Sequence, residues 1–581
     1  MSIDETSIDE TSAAIDRIDS DRVDRERIDR ERTGRDRIAI GRAVRDRIDG
    51  VEPPVDGTGD DDQRRPLPPA DVHVVGAGLG GLAAAALIAR AGYRVVVHER
   101  KRRPGGLAAT DERHGYRFNQ GPHALYRGGE AERVLRAAGV TPRGVSPALR
   151  GAQMLLGDEL HLAPGDTRSL LRTSILGVAD KARLARLLTR LPKLDPARYA
   201  GASVTATIAD LTDRPRIQQL LHALVRLTCY GNAPDVMSGD VAIAQLQLSV
   251  GNGVRYLHRG WQQLVDALLA TPGVEIVEGL PVRTLDDLDG RVAGGIGGGG
   301  VPVIVAAGGP QPASVITGHP FPSGPPALLA SLDLALTGPP PTSFVLGVDE
   351  PLYLSDHGVA DGMAPLGAGT VTVGRYVPAG EAVRRRDGVH AAVDRHAERD
   401  DARGVGVGAT DGAREGAVDR FDAGAGGVGS DRDGAGRDVV DRGDVGSDDE
   451  GRDDVGRDDL DSDDVGRDDR GRDDRGREPV GRADREALRA LAERAGIRAA
   501  DVVEERYLHR MPAVTALPLA ATGGLGGRAG VAVPGRPGVY VVGDWVGRRG
   551  HLADAVLASA EEAALACLEL LEHRPATRMV S

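Results

Sequence analysis

VHVVGAGLGGLAAAALIARAGYRVVVHE, residues 72–99, decides the reading of this chain. Val72 to Val75 is an apolar run of strand length, and Gly76, Gly78 and Gly81 fill the positions of a G-x-G-x-x-G loop. The small apolar run Leu82–Ala91 predicts a helix and Tyr93–His98 a second strand, with Glu99 at its end. Each position has a physical reason. The first glycine allows a tight turn, the second lets backbone approach a pyrophosphate, and the third lets helix pack on strand. The helix N-terminus then presents N–H groups to the anion. Gly76, Ala77, Gly78, Leu79, Gly80 and Gly81 are therefore the expected dinucleotide contacts, and Glu99 is placed to accept from a ribose hydroxyl. The plain alternative, a glycine turn without a ligand, explains neither the helix nor the acid. The loop does not by itself separate NAD from FAD.

Outward from this unit, composition limits what folds. The chain has 581 residues, 80 of them glycine, with only 3% aromatics. That length asks for at least two domains, but the aromatic content is low for so large a core. The net charge of −14 sits in two biased segments. Residues 1–65 carry 13 Arg against 19 Asp and Glu, and residues 381–482 carry 19 Arg against 30, which leaves +3 for the rest. The first opens with tandem IDETSIDETS, and Ile18, Val23 and Ile28 keep no helical face apolar. The second repeats Gly-Arg-Asp units with almost nothing to bury, so it cannot offset its ordering entropy. Both are expected to be disordered. Most Arg in the second segment have an acidic neighbour, which argues against nucleic acid as a partner.

Two cysteines, Cys229 and Cys567, give no disulfide framework and no CxxC. No metal site is expected. The N-terminus lacks an apolar signal core and no apolar run reaches about 20 residues, so a cytoplasmic protein is expected, at most peripheral at a membrane.

A second strand-like run, VYVVGDWVG at 539–547, ends on Gly543-Asp544. With Arg103-Pro104-Gly105-Gly106 and GYRFNQGPHALY at 115–126, it completes a pattern. The sequence resembles the flavoprotein superfamily of amine oxidases, protoporphyrinogen oxidases and bacterial phytoene desaturases. The motifs lie across residues 71–380 and 483–573, strong at both ends and faint between. The resemblance implies FAD as cofactor. Glu99, Arg100, Gly105 and Gly106 would wrap it, Gly543 and Asp544 would meet the ribityl chain, and Val282, in GVEIVEGLPVRTL at 273–285, would meet the adenine. It also implies a helix over 551–573 aimed at the flavin ring, whose dipole favours negative charge there. One departure is Ala560, after Ser559, where the family often has glycine. An Asp N-cap is the plain alternative for Asp544.

The resulting expectation is an α/β chain with a discontinuous Rossmann-like FAD-binding domain (71–145, 251–310, 530–574). A mixed helix-plus-sheet substrate domain takes a helical part at 146–250, a sheet part at 311–385 and a third part at 483–529. Residues 1–70 form a tail and 386–482 an insert. The expected reaction is oxidation or desaturation of a small hydrophobic substrate such as a polyene; the electron acceptor is not specified. Alternatives are an NAD(P) dehydrogenase, or a lipid carrier on the same fold, as in the GDP-dissociation inhibitors. His123, Tyr126, Trp545 and His551 flank the cofactor motifs and are the catalytic candidates, each with packing as its alternative. Tyr230 and Tyr376 are a further pair suited to a pocket, and Cys229 reads as core. Finally, Leu184, Leu187, Leu188 and Leu191 share a helical face opposite Arg183, Arg186, Arg190 and Lys193. Residues 181–193 thus suit either a peripheral membrane contact or, the favoured reading, an ordinary substrate-domain helix.

Overall fold

The computed structural model describes residues 70–148, 150–288, 300–322, 324–379 and 481–573. The N-terminal tail and most of the 386–482 insert lie outside the described residues. All that is described belongs to one compact unit.

Five parallel strands make the first sheet, in the order Val274–Glu278, Val95–Glu99, Val72–Val75, Val303–Val305, Val539–Val541. Strands distant in sequence are neighbours here, because parallel pairs need long crossovers. The front strand and its neighbours are buried throughout, VHVV and VVVHE alike, as expected of a parallel sheet covered on both faces. The helix Leu79–Arg90 follows the front strand and packs beside Ala553–Glu572, the last helix. It begins three residues earlier than the apolar run suggests, so Gly80 and Gly81 are helical. Both are needed for space. A methyl on Gly80 would lie 2.7 Å from Val542 and 2.8 Å from Val556, and one on Gly81 would collide with the Gly76 carbonyl oxygen.

The second sheet has seven strands, in the order Val502–Val514, Ala327–Leu336, Gly369–Tyr376, Leu352–Asp356, Phe344–Gly347, Gln153–Leu156, Glu159–Leu162. All pairs are antiparallel except Phe344–Gly347 with Gln153–Leu156. The last two strands are an exception within 146–250, which is otherwise mainly helical, as expected. GAQMLLGDELHL is a hairpin whose turn is Gly157-Asp158, with Gly157 at φ +58°. Val502–Val514 tolerates Pro512 and several register shifts because it is an edge strand.

One face of this sheet takes the helix Arg482–Arg494 through Leu488, Leu491 and Ala492. The other faces a helical layer that includes Val178–Arg190, Pro215–Cys229 and Gly239–Asn252. Leu184, Leu187 and Leu191 are buried in that layer, while Arg183, Arg186, Arg190 and Lys193 are exposed. No helix among the described residues is long and apolar enough to cross a membrane.

Candidate functional site

The front strand turns outward at Gly76, whose φ of +100° suits glycine alone and whose methyl would lie 2.5 Å from the Ala306 carbonyl oxygen. Gly78 is different. Its φ is −73°, and a methyl there would meet nothing within 4 Å. It is the N-cap of Leu79–Arg90, without a side-chain cap and without an acid in the first turn. The helix therefore presents its N-terminal turn and the positive end of its dipole to the open space at Gly78, the arrangement that binds a phosphate. Gly105 donates from its backbone N–H to the Ala77 carbonyl at 2.8 Å, so Gly105 and Gly106 form a second wall beside Gly78.

Glu99 is buried at the end of its strand. Its Oε2 accepts from the Ala77 N–H at 2.8 Å and its Oε1 from the Lys101 N–H at 3.0 Å. This ties the acid to the loop, and each oxygen keeps a further lone pair. Arg100 next to it is exposed. Leu280 and Gly279 donate to the Glu99 and Lys101 carbonyls, which brings the segment containing half-buried Val282 alongside.

The far end of the chain returns to the same edge of the sheet. Val75, Val305 and Val541 are in register across three strands, so the turns after them are neighbours. Gly543 exchanges hydrogen bonds with the Ser559 hydroxyl, which fastens the turn to the last helix. Asp544 is buried; one carboxylate oxygen accepts from the Thr515 N–H at 2.7 Å and the other from the Thr515 hydroxyl. Burial pushes its carboxyl up, against the two Thr515 bonds and the Arg528 charge. Trp545 donates to the Gly308 carbonyl at 3.3 Å and packs edge-on to Phe321, as core.

Of the other candidates, His551 is fully buried. Its Nε2 bonds the Cys229 carbonyl at 3.0 Å and its Nδ1 faces an Arg528 nitrogen at 3.2 Å. Burial, then the Arg528 charge, lowers its pKa to about 3, so it is a neutral tie between the last helix and Pro215–Cys229. His123 sits with Nδ1 3.0 Å from the Gly121 carbonyl and packs edge-on to Trp261; burial lowers its pKa too. Tyr126 donates to the Thr228 carbonyl at 2.9 Å. Burial pushes the Cys229 thiol up to about 12, which leaves it inert.

Tyr230 and Tyr376 do meet, with ring centres 6.3 Å apart, and Tyr353 adjoins Tyr376 at 5.7 Å. Tyr256 stacks on His357 at 4.4 Å. Sequence spacing gave no sign of this aromatic cluster, which four segments assemble. Two further groups were missed. Arg528 bonds the Gly550 carbonyl and places its charge near Asp544. Asp554, in the first turn of the last helix, accepts from the Ala131 N–H at 2.6 Å and so caps a different helix, Glu130–Ala137. Gly129 and Gly550 leave the space it fills. The glycines were the one available signal.

Residues 74–138 match the model of an NAD(P)-binding Rossmann-like domain. The human all-trans-retinol 13,14-reductase is 47% identical over 57 residues, covering 10% of this chain and 9% of that protein. A phytoene desaturase of Cercospora nicotianae is 40% identical over 68 residues, covering 12% and 11%. The chain thus matches only about a tenth of the length of these curated relatives. Solved structures extend the likeness over the fold. An oxidoreductase from Methanosarcina mazei superimposes with a TM-score of 0.54 at 16% identity, over 86% of this chain and 99% of that one. The cyclohexylamine oxidase of Brevibacterium oxydans gives 0.51 at 15%, over 87% and 100%. Residues 74–138 are thus similar in sequence to an NAD(P)-binding Rossmann-like domain, and the fold is shared with these solved oxidoreductases.

Proposed function

We propose that this chain is an FAD-dependent oxidoreductase that oxidises or desaturates a hydrophobic organic substrate. One observation carries the reading. An uncapped helix N-terminus, a buried acid tied to its loop, and the Gly543-Asp544 turn converge on the carboxyl edge of one parallel sheet, at the point where strand order reverses. Open α/β sheets bind their nucleotides there.

The residues fit the cofactor. The open space at Gly78 takes the pyrophosphate against the helix N-terminus, and Glu99 has lone pairs for the ribose. Asp544 keeps acceptor capacity beside its Thr515 bonds, and Gly105, Gly106 and Val282 close the walls. Bound there, FAD supplies a two-electron acceptor at its N5 atom. The chain supplies the rest. It holds Arg528 near Asp544 and keeps His551 and His357 neutral.

The partner we propose is a small apolar molecule; nucleic acid does not fit the reading. A peripheral membrane contact through residues 181–193 would rest mainly on the basic face, since Leu184, Leu187 and Leu191 are in the core and Leu188 is half-buried against it.

The test is the visible spectrum of the purified full chain, followed by identification of any nucleotide released on denaturation. A flavin band and released FAD are expected, with bleaching on anaerobic addition of a polyene substrate. A colourless protein that FAD cannot reconstitute overturns the proposal.

A further inference from the structure

In the helical layer, a cleft of about 290 Å³ opens between Val204–Leu211, Pro215–Cys229 and the turn that follows. Its walls are apolar at Val225 and Met237, and polar at Thr205, His222, Arg226 and Asn232. Arg226 is 91% buried by surface. Its Nη2 donates to the carbonyls of Gly347, Val348 and Glu350, at 2.8, 3.4 and 3.1 Å. Nε is buried without a partner, and Nη1 makes no hydrogen bond among the described residues. No carboxylate among them lies within ion-pair distance; Asp349 acts only through its field.

Three neutral carbonyls explain why an arginine staples this helix to the sheet. They do not explain the charge. A buried cation without a counter-ion is costly, and a staple needing only N–H donors does not require one. Burial lowers both Arg226 and His222, and the Arg226 charge adds to the depression of His222, with Asp235 opposing. The cleft therefore has a positive end and an apolar body. Its position is also informative. Arg226 stands one helical turn before Cys229, whose carbonyl bonds His551 at the start of the last helix. Asn232, in the cleft wall, donates to the Tyr376 carbonyl at 3.4 Å, and the Tyr376 hydroxyl is buried without a partner. The cleft thus adjoins the aromatic cluster described above.

We propose that this cleft binds the carboxylate of an apolar small molecule, with Arg226 as the counter-ion and Val225 and Met237 against its hydrocarbon. The inference deepens the proposed function and rests on it only in taking this molecule to be the substrate. Apolar substrates without an acid group would lack the anchor.

The test is direct binding of cis-parinarate, a conjugated tetraene fatty acid, followed by its fluorescence on the purified full chain whose flavin content is recorded separately. Parinaryl alcohol and inorganic phosphate are the comparison probes. The acid should bind at least roughly tenfold tighter than the alcohol, the difference expected for hydrogen bonds to a charged group. Arg226→Met should bring the two to parity. Because that variant also loses the carbonyl staple, Asn232→Asp provides the second arm. It is isosteric and sets a fixed carboxylate in the cleft wall. It should lower parinarate affinity by about tenfold or more and leave the alcohol unchanged.

Equal binding of acid and alcohol overturns the proposal, as does an acid preference that survives both variants. Displacement of parinarate by millimolar phosphate overturns the assignment to an apolar acid and identifies a free-anion site. Loss of flavin with the acid preference intact would instead sink the redox reading and leave the cleft's assignment standing.

Discussion

Arg506 and Asp333, on neighbouring strands of the seven-stranded sheet, form a buried ion pair with Nη2 2.6 Å from Oδ2. The same guanidinium reaches Asp111 at 2.8 Å and the Asn119 carbonyl, both on the Thr110–Asn119 hairpin that follows the nucleotide loop. One arginine therefore joins the sheet to the segment behind the cofactor site. Thr372 satisfies the other oxygen of Asp333 at 2.7 Å. Arg506→Met should lower stability by about 3–5 kcal/mol, because it leaves Asp333 charged and buried. Adding Asp333→Leu should recover much of that loss. Denaturant unfolding of the two variants checks both signs, and a single variant no less stable than the parent would refute the account.

The glycines of the loop should separate in their effects. Gly78→Ala meets nothing in the chain and keeps an allowed φ, so the thermal midpoint of the flavin-free protein should not change. Its methyl would occupy pyrophosphate space, and FAD affinity should fall by roughly tenfold or more. Gly81→Ala collides with the Gly76 carbonyl and should lower the midpoint itself, by the equivalent of about 1–3 kcal/mol. Calorimetry and a flavin titration on each variant distinguish packing from ligand space.

Acidification should weaken the fold through two histidines. The folded pKa of His551 and of His357 is about 3, set first by burial, against an ordinary value of 6.5. The unfolded chain then binds protons that the native chain refuses. Their contribution to stability is complete above pH 6.5 and is lost progressively as pH falls toward 3. Replacing His551 with Gln should reduce the slope of stability against pH in that window. An unchanged slope would show that His551 is not held neutral.

Asp554 should act in the opposite sense. Burial raises its pKa from 3.8 to about 7, with Glu130 and Glu132 adding to the rise after the opposing Ala131 bond. The native chain keeps a proton that the unfolded chain releases. This group favours folding most below pH 3.8, and its contribution declines as pH rises to about 7. The stability of Asp554→Asn relative to the parent should therefore increase between pH 4 and 7, by an amount on the order of a few kcal/mol. Parallel stability profiles for parent and variant would contradict the placement.

Much of the cofactor edge was legible because backbone constraints leave marks in residue type. A loop that turns outward at φ +100° against another chain segment requires glycine, as at Gly76. The acid at 99 follows from the length of one strand–helix–strand unit. The hairpin at 153–162 was also readable, from Gly157-Asp158 between two apolar runs, but the surrounding helices obscured it. Trp545 and His551 follow the Gly543-Asp544 turn in sequence. Their side chains, however, serve as a carbonyl tie and a core ring.

The sequence by itself determined the nucleotide loop, its helix and the acid beyond it. These depend on interactions within a few dozen residues, where φ, spacing and side-chain size admit few alternatives. Tertiary structure alone decided which distant segments meet. It placed Val541 beside Val305 and Arg506 against Asp333, and it set Asp554 as the cap of Glu130–Ala137. It also left Arg226 without a counter-ion among the described residues, at the end of a cleft. Many pairs of residues can satisfy such a long-range contact, so neither partner carries a local signature of the other. The contact is selected by the burial and hydrogen bonding of the whole fold.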